Sequence, residues 1–250
     1  MEDRLLVSYW LGQLQIGLGL ALILTAASLL VVFGAGWIAG YLKSGRGWRT
    51  NYTRKIFHFI VYSAATGVTW LWGLPATAIF GTCALFFLMF AIWRGEGSLL
   101  YEGIAREQDA PQRTFYLIVP FLATAAAGVL DNVVFGAFAS VGYLCVGWGD
   151  AIAEPFGVRF GKHKYRVRTL TGIKCQRSLE GSASVFMAST LAASLLVYSW
   201  QNDVLVSIIC GLIIGLISAV VEAFSPHGGD NFTIQVAASA AAFVLLTYIF

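Results

Sequence analysis

Apolar residues fill this chain in runs too long for a soluble fold, and polar positions gather in the gaps between them. A helix that crosses a membrane needs about 20 mostly apolar residues. Eight stretches reach or approach that length, at 14–40, 56–73, 75–93, 114–130, 133–153, 182–200, 204–223 and 232–250. Three gaps, Gly73-Leu74-Pro75, Asp131-Asn132 and Gln201-Asn202-Asp203, are so short that the helices beside them must form antiparallel hairpins. Pro155 disfavours helix at the residue before it, so the fifth stretch is expected to end at Glu154. Gly136, Gly142 and Gly147 in that stretch read as positions of close helix packing. The pattern predicts an all-α polytopic membrane protein of about eight helices, built as a single transmembrane domain over residues 1–250.

Composition sharpens this. The chain is 58% hydrophobic and 12% charged, with a mean hydropathy of +0.75. Soluble domains carry about 25% charged residues, so lipid must replace water over much of the surface. The start, MEDRLLVSYW, has mixed charges and no cleavage site, unlike a signal peptide. Cys83, Cys145, Cys175 and Cys210 lack CxxC spacing, which points to neither a disulfide framework nor zinc.

With eight helices, the basic residues sort by side. Arg4 precedes the first helix; the other 15 of 16 Lys and Arg lie between helices one and two, three and four, or five and six. The positive-inside rule makes that face cytoplasmic and puts both termini on the opposite side. The expected location is a prokaryotic inner or plasma membrane. His58, His163 and His227 fall on or near the same face. Asn51-Tyr-Thr53 and Asn231-Phe-Thr233 match the glycosylation sequon, but on this topology both are chance matches.

Four constellations could carry chemistry there. Asp150 and Glu154 are spaced i, i+4 and share a helix face. Such a pair suits Mg²⁺, which takes one or two carboxylates plus phosphates; alternatively, it is a pair of acids neutralised by the basic loop beside it. That loop runs from Gly157 through Gly161, Lys162, His163 and Lys164 to Arg177 and Ser178. Its glycines allow close backbone approach and its cations suit phosphate, or it anchors lipid headgroups. Glu180 and Ser178 open the next helix as an anion-favouring cap. Arg54, Lys55 and His58 open the second helix, as topology anchors or with His58 as general base. Glu222, one turn inside an apolar run and so a further metal candidate, precedes a turn ending at Asp230 and Asn231.

Together these motifs resemble the CTP-dependent polyprenol kinases, which include dolichol kinase, phytol kinase and a CTP-dependent diacylglycerol kinase. The matching pieces are Arg54-Lys55 with His58, Gly149-Asp150-Ala151 running to Gly157 and Phe160-Gly161-Lys162, Ser178-Leu179-Glu180-Gly181-Ser182, and Glu222 with Asp230-Asn231. The central block is also similar to phosphatidate cytidylyltransferases, although Arg177-Ser178-Leu179-Glu180-Gly181 is nearer the kinase pattern. Glu154-Pro155 departs from the small residues usual in the kinases. The resemblance implies a membrane enzyme that phosphorylates a lipid alcohol such as a polyprenol or phytol, with CTP as donor and Mg²⁺ as cofactor. Asp150, with Glu154 and Glu222, would hold the metal. Gly157, Gly161, Lys162, Lys164, Arg177, Ser178, Asp230 and Asn231 would bind nucleotide, and Arg54, Lys55, His58, Asp150 and Glu180 would serve catalysis. The expected partners are CTP and a membrane lipid alcohol, with no nucleic acid. Cytidylyl transfer to a lipid phosphate is the alternative reaction, and transport the alternative class.

Overall fold

A computed structural model describes residues 16–169 and 175–250. The starting segment with Arg4, and Lys174 of the basic loop, lie outside the described residues. Helix α1 (Leu18–Arg46) leads into α2 (Thr50–Arg94). Short α3 (Leu99–Ile104) precedes α4 (Phe115–Phe135), then α5 (Ala139–Cys145), a π-helical turn (Val146–Asp150) and α6 (Ala151–Phe160). Strands β1 (Lys164–Val167) and β2 (Cys175–Ser178) follow. Helices α7 (Leu179–Gln201), α8 (Val204–Phe224) and α9 (Asp230–Val244) complete the chain.

Six helical stretches among the described residues are long and apolar enough to cross a membrane, two of them, Thr50–Arg94 and Phe115–Phe160, being 45 and 46 residues long. At 1.5 Å per residue each of these would extend about 67 Å, twice the ~30 Å hydrocarbon layer. Neither is straight. In α2, Gly73 takes φ 66°, ψ −155° just ahead of Pro75. Phe57 and Phe87, on either side of that break, stack at 5.1 Å, so α2 folds back into two antiparallel arms. The second break is at Gly136, with φ 58°.

Three expectations are corrected here. Asp131 and Asn132 are not a turn: both are buried inside α4. Within the bundle Asn132 Nδ2 donates to Gly128 O at 2.8 Å and Ser239 Oγ to Asp131 Oδ2 at 2.9 Å, while Asp131 Oδ1 has no hydrogen-bond partner among the described residues. The chain reverses instead at Gly136, whose positive φ suits glycine, so that residue makes a turn rather than a packing contact. Pro155 does not end its helix, which runs on to Phe160. Packing against α7, where Gly157 and Gly181 lie side by side, offsets the backbone bond that proline removes. Helix α2 also begins at Thr50, before the apolar run, and so carries Arg54 and Lys55 inside a regular helix.

The basic loop adds a small sheet to the helical fold. Strands β1 and β2 pair antiparallel with Lys164 opposite Ser178 and Tyr165 opposite Arg177. Beyond β1, Thr169 bridges to His227, and the His227 N–H donates to Arg168 O at 2.8 Å. The hairpin is thereby tied to the turn before α9. One buried cluster centres on Tyr62, Phe80, Phe87, Leu117, Tyr143 and Ile234, and another on Val141, Cys145, Val197 and Ile214.

Candidate active site

The first turns of α2 present Asn51, Arg54, Lys55, His58 and Tyr62, a three- and four-residue spacing that keeps them on one side of the helix. They meet Asp150, at the end of the π-helical turn, and Glu154, one turn further on. Such π turns recur at functional sites. Close approach depends on Gly147: a Cβ there would lie 2.4 Å from Tyr62 Cβ. Lys55 Nζ lies 2.8 Å from Asp150 Oδ2 and 3.4 Å from Glu154 Oε2. His58 Nδ1 is 3.0 Å from Asp150 Oδ2. Asn51 Nδ2 and Arg106 Nη1 each donate to Glu154 Oε1 at 2.9 Å.

Asp150 therefore uses one oxygen for the protein. Its Oδ1 makes no hydrogen bond or ion pair among the described residues, and the side chain lines a cavity. Among the described residues no three or more His, Cys, Asp or Glu side chains form a ready cage for a metal. One open carboxylate oxygen fits an ion shared with a ligand's phosphates, the usual habit of Mg²⁺.

A second cluster faces the first across the cavity. Arg177 on β2 bonds Glu222 Oε1 through Nε at 2.8 Å, Asp230 Oδ2 through Nη2 at 2.7 Å, and Ser225 O through Nη1 at 3.0 Å. Nη1 also donates to Glu222 O. A guanidinium has five N–H groups, so one is left for a ligand. Ser182 donates to Glu222 Oε2 at 3.0 Å, so both oxygens of Glu222 are engaged. Ser178 caps α7, accepting from the Gly181 N–H at 3.1 Å. Gly161 passes so close that a Cβ would meet Gly157 O at 2.2 Å.

A third cluster went unnoticed in the sequence. Arg106 grips Asp109 with two bonds, Nε to Oδ2 at 2.9 Å and Nη2 to Oδ1 at 2.8 Å, besides reaching Glu154. Its Nη2 also lies 2.7 Å from His227 Nε2. Burial would raise the Asp109 carboxyl, but His227 and Arg106 outweigh that and hold it at about 2. Arg106 is the firmer hold, because His227 at 3.9 Å is beyond hydrogen-bond range. A native pKa below the ordinary carboxylate value means stability that is present above about pH 4 and lost as pH falls toward 2. Thermal melts of detergent-solubilised protein over that window should show a shallower acid decline for Asp109→Asn than for wild type. Equal slopes would remove Asp109 from the account.

The sequence-derived candidates divide accordingly. A cavity of about 370 Å³ brings together Arg54, Lys55, Asp150, Glu154, Gly157, Lys164, Arg177, Ser178, Glu222, Asp230 and Asn231. Lys162, Gly161 and Glu180 are not in its lining. Glu180 instead accepts from His163 Nδ1 at 2.8 Å on the rim. Asn51 and Asn231, the two sequon residues, are buried and hydrogen-bonded. Arg54 makes no hydrogen bond among the described residues, its nearest acid being Asp109 Oδ2 at 3.8 Å. Of the cations on the helix bundle's side of the cavity, it is the one most open to an anion.

A second cavity, also about 370 Å³ and almost wholly apolar, adjoins the first. Arg54, Pro120 and Asn231 line both, and His58 and Tyr62 face the apolar one. Asn231 fixes the seam, donating to Tyr62 OH at 3.0 Å and Thr124 Oγ1 at 3.1 Å. His58 Nε2 is enclosed there without a hydrogen-bond partner among the described residues. The arrangement suits an amphiphile, with charge on one side of the seam and hydrocarbon on the other.

Comparison with known proteins bears out the resemblance read from the motifs. The chain is 33% identical over 106 residues to a phytol kinase from a Synechocystis species, a match spanning 42% of this chain and 43% of that protein. No family model matches the chain, and no solved structure does so.

Proposed function

We propose that this chain is a lipid-alcohol kinase. It transfers the γ-phosphoryl group of CTP, with Mg²⁺, to an isoprenoid alcohol such as phytol or a polyprenol. The reaction takes place at the cytoplasmic face of a prokaryotic inner or plasma membrane that the chain crosses eight times, with both termini on the far side. The observation that carries this reading is the seam: a charged cavity meets an apolar one at Arg54 and Asn231, with the Asp150–His58 pair beside it. The similarity to a phytol kinase supports it. The two folded-back helices and the one-sided basic loops support the topology.

In this mechanism the alcohol's chain lies in the apolar cavity and its hydroxyl reaches His58. His58 Nδ1–H donates to Asp150 Oδ2, which leaves the Nε2 lone pair for the hydroxyl proton. The alcohol oxygen bonds to the γ-phosphorus while the bond from that phosphorus to the β–γ bridging oxygen breaks, and CDP leaves with the electron pair. Arg54, with Lys164 on the outer rim, neutralises the phosphates. Lys55 fixes the orientation of Asp150. Bound Mg²⁺, held at Asp150 Oδ1 with Glu154 nearby, would supply further charge neutralisation. Phosphoryl transfer asks mainly for positioning and charge, which these groups provide.

The test is to incubate purified protein with Mg²⁺, lipid alcohols or phosphatidate, and CTP labelled at either the α- or the γ-phosphate. Label from the γ-phosphate in the lipid is the expected result. Label from the α-phosphate would make the chain a cytidylyltransferase. No transfer from any nucleotide, by folded protein, would overturn the enzyme reading in favour of transport.

A further inference from the structure

The apolar cavity has an inner wall, an outer rim and two ends, and these differ. Its inner wall is formed by Tyr62, Phe80, Phe87, Leu117 and Tyr143, all buried. Its rim is exposed, made by Ala78, Gly81 and Leu85 on the second arm of α2 and by Ala125 and Val129 on α4. Small residues on both helices leave a slot between them that opens sideways, toward lipid. The threonine hydroxyls along this slot are engaged within their own helices. Thr77 donates to Gly73 O at 2.8 Å, Thr82 to Ala78 O at 2.8 Å and Thr124 to Pro120 O at 2.9 Å. Between its ends the slot thus offers a ligand hydrocarbon contacts. At the seam, His58 Nε2 has no hydrogen-bond partner among the described residues.

We propose that this slot takes the hydrocarbon tail of a single-chain alcohol from the side, and that Gly81 sets the chain length accepted. This rests on the kinase reading for the identity of the head group. From His58 to Leu74 the first arm of α2 rises about 24 Å at 1.5 Å per residue, the order of an extended diterpenoid chain. A volume near 370 Å³, at the small end of the ~300–1,000 Å³ of ligand pockets, suits one chain rather than the two of a diacylglycerol. Gly81 lies eight residues past the fold-back at Gly73, about 12 Å along the slot. A Cβ at Gly81 would meet nothing within 4 Å, so a larger side chain there fills the slot without displacing backbone.

The experiment pairs Gly81→Trp with Gly34→Trp, a control on α1 whose Cβ also meets nothing within 4 Å. Phosphorylation is measured on geraniol, farnesol, phytol and diacylglycerol. Separately, a phytol analogue with a photoreactive group at its tail end is crosslinked to each protein without nucleotide. Wild type and Gly34→Trp should prefer phytol to diacylglycerol and label residues 74–78. Gly81→Trp should lose about tenfold or more in kcat/KM on phytol, keep geraniol within about twofold, and lose the label, because the methylenes beyond the block lose their burial. Equal effects on all alcohols, or tail labelling elsewhere, would overturn the slot while leaving the kinase standing. Preference for diacylglycerol would overturn the single-chain assignment. If wild type transfers no phosphoryl group, the kinase reading fails, and the crosslink alone still decides where the tail lies.

Discussion

Asp150→Asn is expected to lower phosphoryl transfer by about 10³-fold or more. The substitution keeps shape and removes charge at the residue that joins three parts of the site. Asp150 Oδ2 holds Lys55 Nζ at 2.8 Å and His58 Nδ1 at 3.0 Å, while Oδ1 is left for the cavity. A neutral amide no longer favours the proton on His58 Nδ1, so Nε2 is no longer kept as the acceptor. It also weakens any hold on a cation that neutralises the phosphates. Loss of a positioned base costs about 10²–10⁴ and loss of an electrostatic stabiliser about 10²–10³, and both depend here on one carboxylate. Single-turnover rates at saturating CTP and alcohol check this, with melting curves to show that the variant is folded. Activity within tenfold of wild type would move the chemistry away from Asp150.

The largest effect on stability is expected at Arg177. Arg177→Met should destabilise the fold by about 3–5 kcal/mol, the usual result of removing one partner from a buried ion pair. Glu222 and Asp230, which are 5% and 9% exposed, would be left without their cation. Arg177 also satisfies the carbonyls of Ser225 and Glu222 at the end of α8. It therefore joins β2 to α8 and α9 at the wall of the site. Neutralising the acids as well, in Arg177→Met with Glu222→Gln and Asp230→Asn, should recover a large part of the loss, because no buried charge is then unpaired. Denaturant or thermal unfolding in one detergent compares the three proteins. A single variant as stable as wild type, or no recovery in the triple variant, would show that Arg177 does not neutralise this pair.

These two residues also mark how far sequence reasoning reaches. Asp150 and Glu154 were legible as a pair because i, i+4 spacing brings residues to one helix face in any context. The apolar runs were equally legible, since each helix must cover its own length in hydrocarbon. Arg177 was recognised as a phosphate-binding candidate, yet most of its N–H groups face Glu222, Asp230 and two backbone carbonyls, partners 45–53 residues away. Arg106 and Asn51 gave no usable signal, because their meeting at Glu154 spans 48 and 103 residues. Asp131 read as a turn because a polar residue between apolar runs has the same local pattern whether it faces a loop or meets a buried Ser239. Local spacing and hydrophobicity were enough to define the helices, the lipid-facing surface and one polar end. The seam between charged and apolar cavities, the open oxygen of Asp150 and the slot beside Gly81 arise from packing between distant segments. They could not be read earlier, because periodicity says which face of a helix is polar and not which other helix that face will meet.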